Sequence, residues 1–295
     1  MRQNRISSIK FRGLAFSLCL LTVGALAPFA SAQQRAATVD LPILFDTRER
    51  IAKPDLAGIV RLRFLTTVDF PPFNFIDQTG KLAGFHVDLV REICRELALT
   101  EKCQIQAVTF PELEKALTDG NGEALVAGIA VTPDLRKRFA FSRPFMRLPA
   151  RFAVTKKAPP AGETAAALDG KRVGVVAGSA HEAMLKAFFP RMEAQAFPDR
   201  AALLAGLKEG KVDAVFGDGM QLAFWTSGSE SADCCRLFDG PYVSEAFLGE
   251  GLTIMLRKED TALAGAIDHA LLALSRNGRL QEIYLRYFPV NLYGG

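Results

Sequence analysis

Histidine and tryptophan are scarce in this chain, with three and one in 295 residues, and no cysteine–histidine spacing resembles a metal site. Zinc-type coordination needs such clusters, so neither a metal nor a cofactor is expected. Beyond residue 32 no apolar run approaches the ~20 residues that a spanning helix requires. Net charge is also missing once the N-terminus is set aside. The formal charge of +4 equals the contribution of Arg2, Arg5, Lys10 and Arg12 in a segment without acids, so 32 basic and 32 acidic side chains remain. That balance argues against nucleic-acid and bulk membrane binding, which favour a basic surface.

The N-terminus has the layout of a secretory signal: the four basic residues, an apolar stretch Leu14 to Leu26, and Ala30-Ser31-Ala32 before Gln33. A membrane anchor fits less well because the apolar run is short. A lipoprotein signal does not fit Leu18 before Cys19. Cleavage after residue 32 leaves 263 residues, enough for two domains of ~100–150 residues, and four of the five cysteines. Export makes disulfides permissible. Cys94 and Cys103 flank a helix end and short loop. Cys234 and Cys235 are adjacent in the polar loop S-A-D-C-C-R, where a disulfide between neighbours is strained and two thiols or one modified thiol read equally well.

Residues 33 to about 60 carry helical signals near Thr47 to Ala52 and no assignable role. From Val60 short apolar runs alternate with amphipathic helical patterns, which indicates α/β architecture. R-L-R-F-L-T-T-V reads as a strand, followed by the Pro-stiffened loop D-F-P-P-F. V-D-L-V-R-E-I-C-R-E-L and F-P-E-L-E-K-A-L-T-D-G read as helices, the second closed by Gly120, and A-L-V-A-G-I-A-V as a buried strand. The Pro/Ala/Gly-rich stretch 156–168 reads as a loop. K-R-V-G-V-V-A-G-S-A-H-E-A-M then gives strand, tight turn and helix start. Lys211 to Phe216 and Leu252 to Leu256 read as further strands, and Ala262 to Phe288 as two helices joined at Asn277-Gly278.

The segment Gly128 to Phe145, G-I-A-V-T-P-D-L-R-K-R-F-A-F-S-R-P-F, closely resembles the ligand-binding segment of periplasmic solute-binding proteins that feed polar amino acids to ABC importers. D-F-P-P-F, G-F-H-V-D-L, K-V-D-A-V-F-G-D, N-G-R-L-Q-E-I-Y-L-R-Y-F and the ending Y-F-P-V-N-L-Y-G-G follow in family order, like the lysine/arginine/ornithine and histidine binders. The resemblance implies an α/β fold of type II, two lobes joined by two crossings. Lobe one would be 55–153 plus 252–295 and lobe two 154–251, after a signal peptide (1–32) and a variable leader (33–54). It also implies a Cys94–Cys103 disulfide, hinge closure around ligand, a monomer, a periplasmic location and an ABC permease as partner.

Carried onto this sequence, the resemblance makes Phe70 and Phe110 ligand-stacking aromatics, Asp218 the acceptor of the ligand's ammonium, and Thr132 and Ser179 part of the cleft. His181 replaces a residue that often faces the cleft; a solvated helix residue is its other reading. The family's carboxylate-clamping arginine is replaced by Leu135, with Arg136 one position along as a candidate rescue. Ala130, Leu135 and Ala180 all remove carboxylate donors, while Asp218 keeps the ammonium acceptor. Leaving a buried carboxylate without its partner costs ~2–5 kcal/mol. Thr67 stands where dibasic-ligand relatives place an aspartate, and His86 replaces the first aspartate of G-F-D-x-D-L. Asp88 reads as structural. The expected function is delivery of a small polar, amine-bearing solute to an ABC importer. Two alternatives are a non-transport sensory or accessory periplasmic protein, and a cyclohexadienyl-dehydratase-like enzyme with Asp218 or Glu182 as acid.

Overall fold

A computed structural model describes residues 44, 48–53, 55–288 and 292–293. The expected signal peptide, and most of the leader, lie outside the described residues. Among those described, no helix is long and apolar enough to cross a membrane.

Two five-stranded sheets carry the fold. The first runs Cys103–Ala107, Leu62–Thr66, Ala124–Leu125, Met255–Arg257, Phe139–Phe141; the second runs Glu193–Phe197, Arg172–Val176, Ala214–Asp218, Ala150–Thr155, Cys235–Tyr242. Both follow one plan. Three parallel strands form one side, and two further strands extend it with antiparallel pairings. Successive side chains point to opposite faces of a strand, so one strand feeds two cores. Ala214 and Phe216 join one apolar cluster and Val215 joins the other. In the first sheet Phe64 and Leu65 divide in the same way.

The chain passes between the sheets twice, and the two passages touch: Leu252 N–H donates to Met146 O at 2.7 Å, and Phe145 N–H to Leu252 O at 2.9 Å. Because Ala150–Thr155 is a strand of the second sheet, the first passage falls a few residues ahead of the expected 153. A second difference concerns A-L-V-A-G-I-A-V, which holds only the two-residue strand Ala124–Leu125. Gly128, at φ +72°, turns the backbone out of the extended region soon after.

The helix Phe85–Glu96 buries Phe85, Leu89, Val90 and Ile93 against the first sheet. Asp88 joins it to the last two residues of the helix Arg279–Tyr287: its carboxylate accepts from Tyr287 Oη at 2.8 Å and pairs with Arg286, as well as with Arg91 of its own helix. That is the structural role expected of it. The Cys94–Cys103 disulfide is present and ties this helix's end to the neighbouring edge strand. Cys234 and Cys235 are also joined to one another, the one of the states left open by the sequence that neighbouring cysteines adopt least readily. Ala232 and Asp233 before them both adopt left-handed backbone, at φ 50° and 57°, and Cys235 packs into a core with Trp225 and Val215.

The described part of the stretch with helical signals, residues 48–52, is not helical. Residues 49–52 have no regular structure, yet they are fastened to the first lobe. Glu49 pairs with Arg143, its carbonyl accepts from Arg276, and Ile51 O accepts from His269 Nδ1 at 2.6 Å. Leu44, Ile51, Leu56 and Ile59 pack on the first core. Surface pairs contribute little individually, so the apolar contacts supply most of this attachment.

Gly84 begins the helix Phe85–Glu96 at φ +130°, and a Cβ there would sit 2.2 Å from the Phe73 carbonyl oxygen. Gly84→Ala should therefore cost roughly 2 kcal/mol or more, lowering Tm by about 5 °C or more. An unchanged melting temperature would show that the Phe73 loop yields without strain.

Candidate functional site

In α/β sheets ligands gather beyond the carboxyl ends of parallel strands. In the first lobe that edge carries Thr67 to Phe73. Phe70 is half-buried and stacks on Phe73, with ring centroids 4.8 Å apart. A Cβ on Gly128 would lie 2.7 Å from Phe70 Cε1, so the ring occupies the space that any side chain at 128 would need. Behind it Thr67, Asn74 and His86 form a buried polar chain. Asn74 Nδ2 donates to Thr67 Oγ1 at 2.7 Å, and Asn74 Oδ1 faces His86 Nδ1 at 2.7 Å. The imidazole is enclosed by the Phe70, Phe73, Phe85 and Phe145 rings. Burial pushes its pKa down to about 3, so it is neutral, and its Nε2 has no hydrogen-bond partner among the described residues.

Phe110 stands at the start of a single 3₁₀ turn and is 55% exposed, with no ring neighbour among the described residues. Thr132 caps the helix Pro133–Arg138, its Oγ1 accepting from Leu135 N–H at 3.2 Å. Leu135 packs against a cluster containing Leu65, Leu113 and Phe139. Arg136 does not offer a free guanidinium. Nε donates to Glu250 Oε1 at 3.0 Å, Nη2 pairs with the other oxygen, and the group lies 5.7 Å over the Phe141 ring. A protein carboxylate from the second passage already holds the fork that the rescue needs.

The second lobe brings Ser179, His181 and Asp218 together on one cavity of about 250 Å³, with Arg200, Gln221 and Phe216. Ser179 caps the helix Ala180–Phe188, but its hydroxyl is spent. It accepts from Glu182 N–H at 3.1 Å and donates to Val176 O at 2.7 Å. Asp218 caps the helix Gly219–Ser227, its Oδ1 accepting from Gln221 N–H at 2.9 Å. Burial raises its pKa above the ordinary value, against the pull of the Gln221 amide and of His181 and Arg200 nearby. The same burial lowers the pKa of His181, with Asp218 acting the other way. A carboxylate can accept about four hydrogen bonds, so Asp218 keeps capacity for a cationic donor.

A larger cavity of about 480 Å³ adjoins. Pro71 and Pro72, next to Phe70, face Arg200, Gln221, Phe224 and Trp225 across it. The aromatic loop of one lobe and the charged wall of the other thus share a space.

A sequence model of bacterial extracellular solute-binding proteins, family 3, matches residues 62–290. The chain belongs to this family. It is 29% identical over 249 residues to the L-arginine-binding protein of Pseudomonas aeruginosa, covering 83% of this chain and 94% of that one. It is 26% identical to the lysine/arginine/ornithine-binding periplasmic protein of Escherichia coli, covering 79% and 89%. The structure of the L-cystine solute receptor of Neisseria gonorrhoeae matches at TM-score 0.67 and 15% identity, covering 81% of this chain and 96% of that one; at that identity it shows the fold alone. The family and these relatives are binding proteins and not enzymes, which leaves the dehydratase reading without support.

Two residues lining this cavity, Arg200 and Gln221, escaped the sequence reading. Arg200 had a signal, because an arginine directly after the capping Asp199 stands where helices favour acids. Gln221 is the third residue after Asp218, the spacing of a capping box. The buried Thr67–Asn74–His86 chain was not legible, since nothing in the spacing marks Asn74.

Because burial raises the Asp218 pKa, affinity for an amine should weaken as pH falls through a window above the usual carboxylate range, as the acceptor is protonated. In the ligand-free protein the sign reverses: protonating a carboxyl whose folded pKa is raised stabilises the fold as pH falls. Calorimetric titrations from about pH 7.5 down to about 3.5, which pass below the ordinary Asp value of ~3.9, check the first. Thermal melts check the second.

Proposed function

We propose that this protein is a periplasmic, monomeric solute-binding protein that delivers a small polar, amine-bearing solute to an ABC permease. One observation carries the reading: the cavity wall holds a half-buried carboxylate, Asp218, with bonding capacity left over, while no arginine stands in the slot opposite where the family resemblance places one. Leu135 fills that slot and is turned into apolar packing, and Arg136 is held by Glu250. The site therefore receives an ammonium, and it has no lobe-one clamp for an α-carboxylate.

Relatives named for arginine and for lysine/arginine/ornithine supply the transport class, but their ligands do not carry over. Thr67 is 2% exposed and bonded to Asn74. It is a neutral residue where the resemblance implies an aspartate for a distal cation. Closure of the two lobes about the paired passages would bring Phe70 and Phe110 onto the solute and shut it from water.

Asp218→Asn should keep the helix cap, because asparagine and aspartate cap equally well, and should leave Tm nearly unchanged. It should weaken amine binding by ~2–5 kcal/mol, roughly 30- to 4,000-fold. Retained affinity would remove Asp218 from the site. Leu135→Arg should cost about 1–2 kcal/mol of stability through lost packing and should confer binding of an ordinary α-amino acid such as L-alanine. If the unmodified protein already binds L-alanine as well as the variant does, the missing clamp is not what sets specificity.

A further inference from the structure

The first turn of a helix is a poor place for a cation, because its unpaired backbone N–H groups already carry partial positive charge. Arg200 is the first residue of the helix Arg200–Lys208, directly after its cap Asp199. Helix stability does not explain it. Nor does an ion pair: no acid within salt-bridge distance partners Arg200 among the described residues. Its side-chain partner is neutral. Nη1 donates to Gln221 Oε1 at 3.1 Å, one of five donors the guanidinium owns.

Gln221 is the link that gives this placement meaning. Its backbone N–H donates to Asp218 at 2.9 Å, and its side-chain oxygen holds Arg200. One residue thus fixes a carboxylate at its backbone end and a guanidinium at its side-chain end. Both charges line the cavity that also holds His181. Arg200 and Gln221 additionally line the neighbouring cavity facing Pro71 and Pro72, so the guanidinium stands where the two spaces meet, beside the loop that presents Phe70.

We propose that Arg200 is the anion-recognising residue of the cleft, and that the solute is a zwitterion whose ammonium meets Asp218 while its carboxylate, several bonds away, meets Arg200. This rests on the Asp218 reading and adds to it. The carboxylate clamp missing at Leu135 is supplied by the opposite lobe, at a separation set by the length of the Gln221 side chain. An ω-amino acid suits that span better than an α-amino acid, whose charges sit on adjacent carbons. A forked guanidinium is the side chain that best matches a carboxylate. Arg200 also helps Asp218 stay ionised against its burial, which an ammonium-binding site requires.

The test is calorimetry on the signal-free chain with β-alanine, 4-aminobutyrate and 5-aminopentanoate, each beside the alkylamine of equal chain length. The unmodified protein should bind at least one ω-amino acid about tenfold or more tighter than its matched amine. In Arg200→Gln that preference should collapse towards unity. In Arg200→Lys, which keeps the charge but loses the fork, part of it should remain. Thermal melts of both variants establish that the exposed substitution leaves the fold intact. Equal binding of acid and matched amine by the unmodified protein, or a preference that survives in Arg200→Gln, would overturn the role of Arg200 and leave the Asp218 reading standing. Binding of neither class would overturn both.

Discussion

Asp218 has two duties that compete for one carboxylate, and the site depends on how it divides them. Its Oδ1 accepts the Gln221 amide and so starts the helix Gly219–Ser227. The same carboxylate faces a cavity, where burial disfavours its charge. Capping alone does not require that exposure to a cavity, and an exposed asparagine or serine would cap as well. Burial disfavours the ionised form of that carboxylate, a cost that a nearby cation would offset. Clefts that bind charged solutes store free energy in this way, in groups that are partly satisfied until the partner arrives.

The rest of the architecture serves to hold that wall opposite an aromatic loop. The parallel strands of each sheet end at the functional edge, at Thr66 in one lobe and at Val176 and Asp218 in the other. The two passages between sheets are hydrogen-bonded to each other. The connection between the lobes is thereby a narrow pair of hydrogen-bonded passages. Behind Phe70 the Thr67–Asn74–His86 chain and the rings of Phe73, Phe85 and Phe145 make a firm backing. The attached leader covers the first lobe's core away from these edges, through Ile51 on His269 and Glu49 on Arg143.

The fold was legible in the sequence because it is written in local periodicity and in short motifs at fixed spacing. Asp218 between two glycines after V-D-A-V-F, and Thr132 ten residues before Ser142, are both of this kind. Single capping and strand-end positions came through for the same reason: each depends on neighbours a few residues away. The pairings that decide availability were not legible. Arg136 read as a possible clamp until Glu250, distant in sequence, was seen to hold it. Ser179 read as part of the cleft, and its hydroxyl is engaged within the protein on both sides. Arg200 acquires its role only from Gln221, on another helix. Long-range polar pairs leave no period in a sequence, so they surface only when the chain is folded.

The most direct test of the account is a thermal-shift measurement on the signal-free protein against ordinary L-α-amino acids, simple amines, ω-amino acids and small organic acids. A ligand that binds the native state raises its stability by RT ln(1 + [L]/Kd), about 2.7 kcal/mol at a hundredfold excess over Kd. For a chain of this size that is a shift of several degrees. The account predicts stabilisation by amines and ω-amino acids and none by neutral L-α-amino acids such as L-alanine. A clear upward shift with L-alanine would contradict it, because an α-carboxylate would then be held beside the Asp218-bound ammonium although Leu135 stands where the resemblance places the clamping arginine.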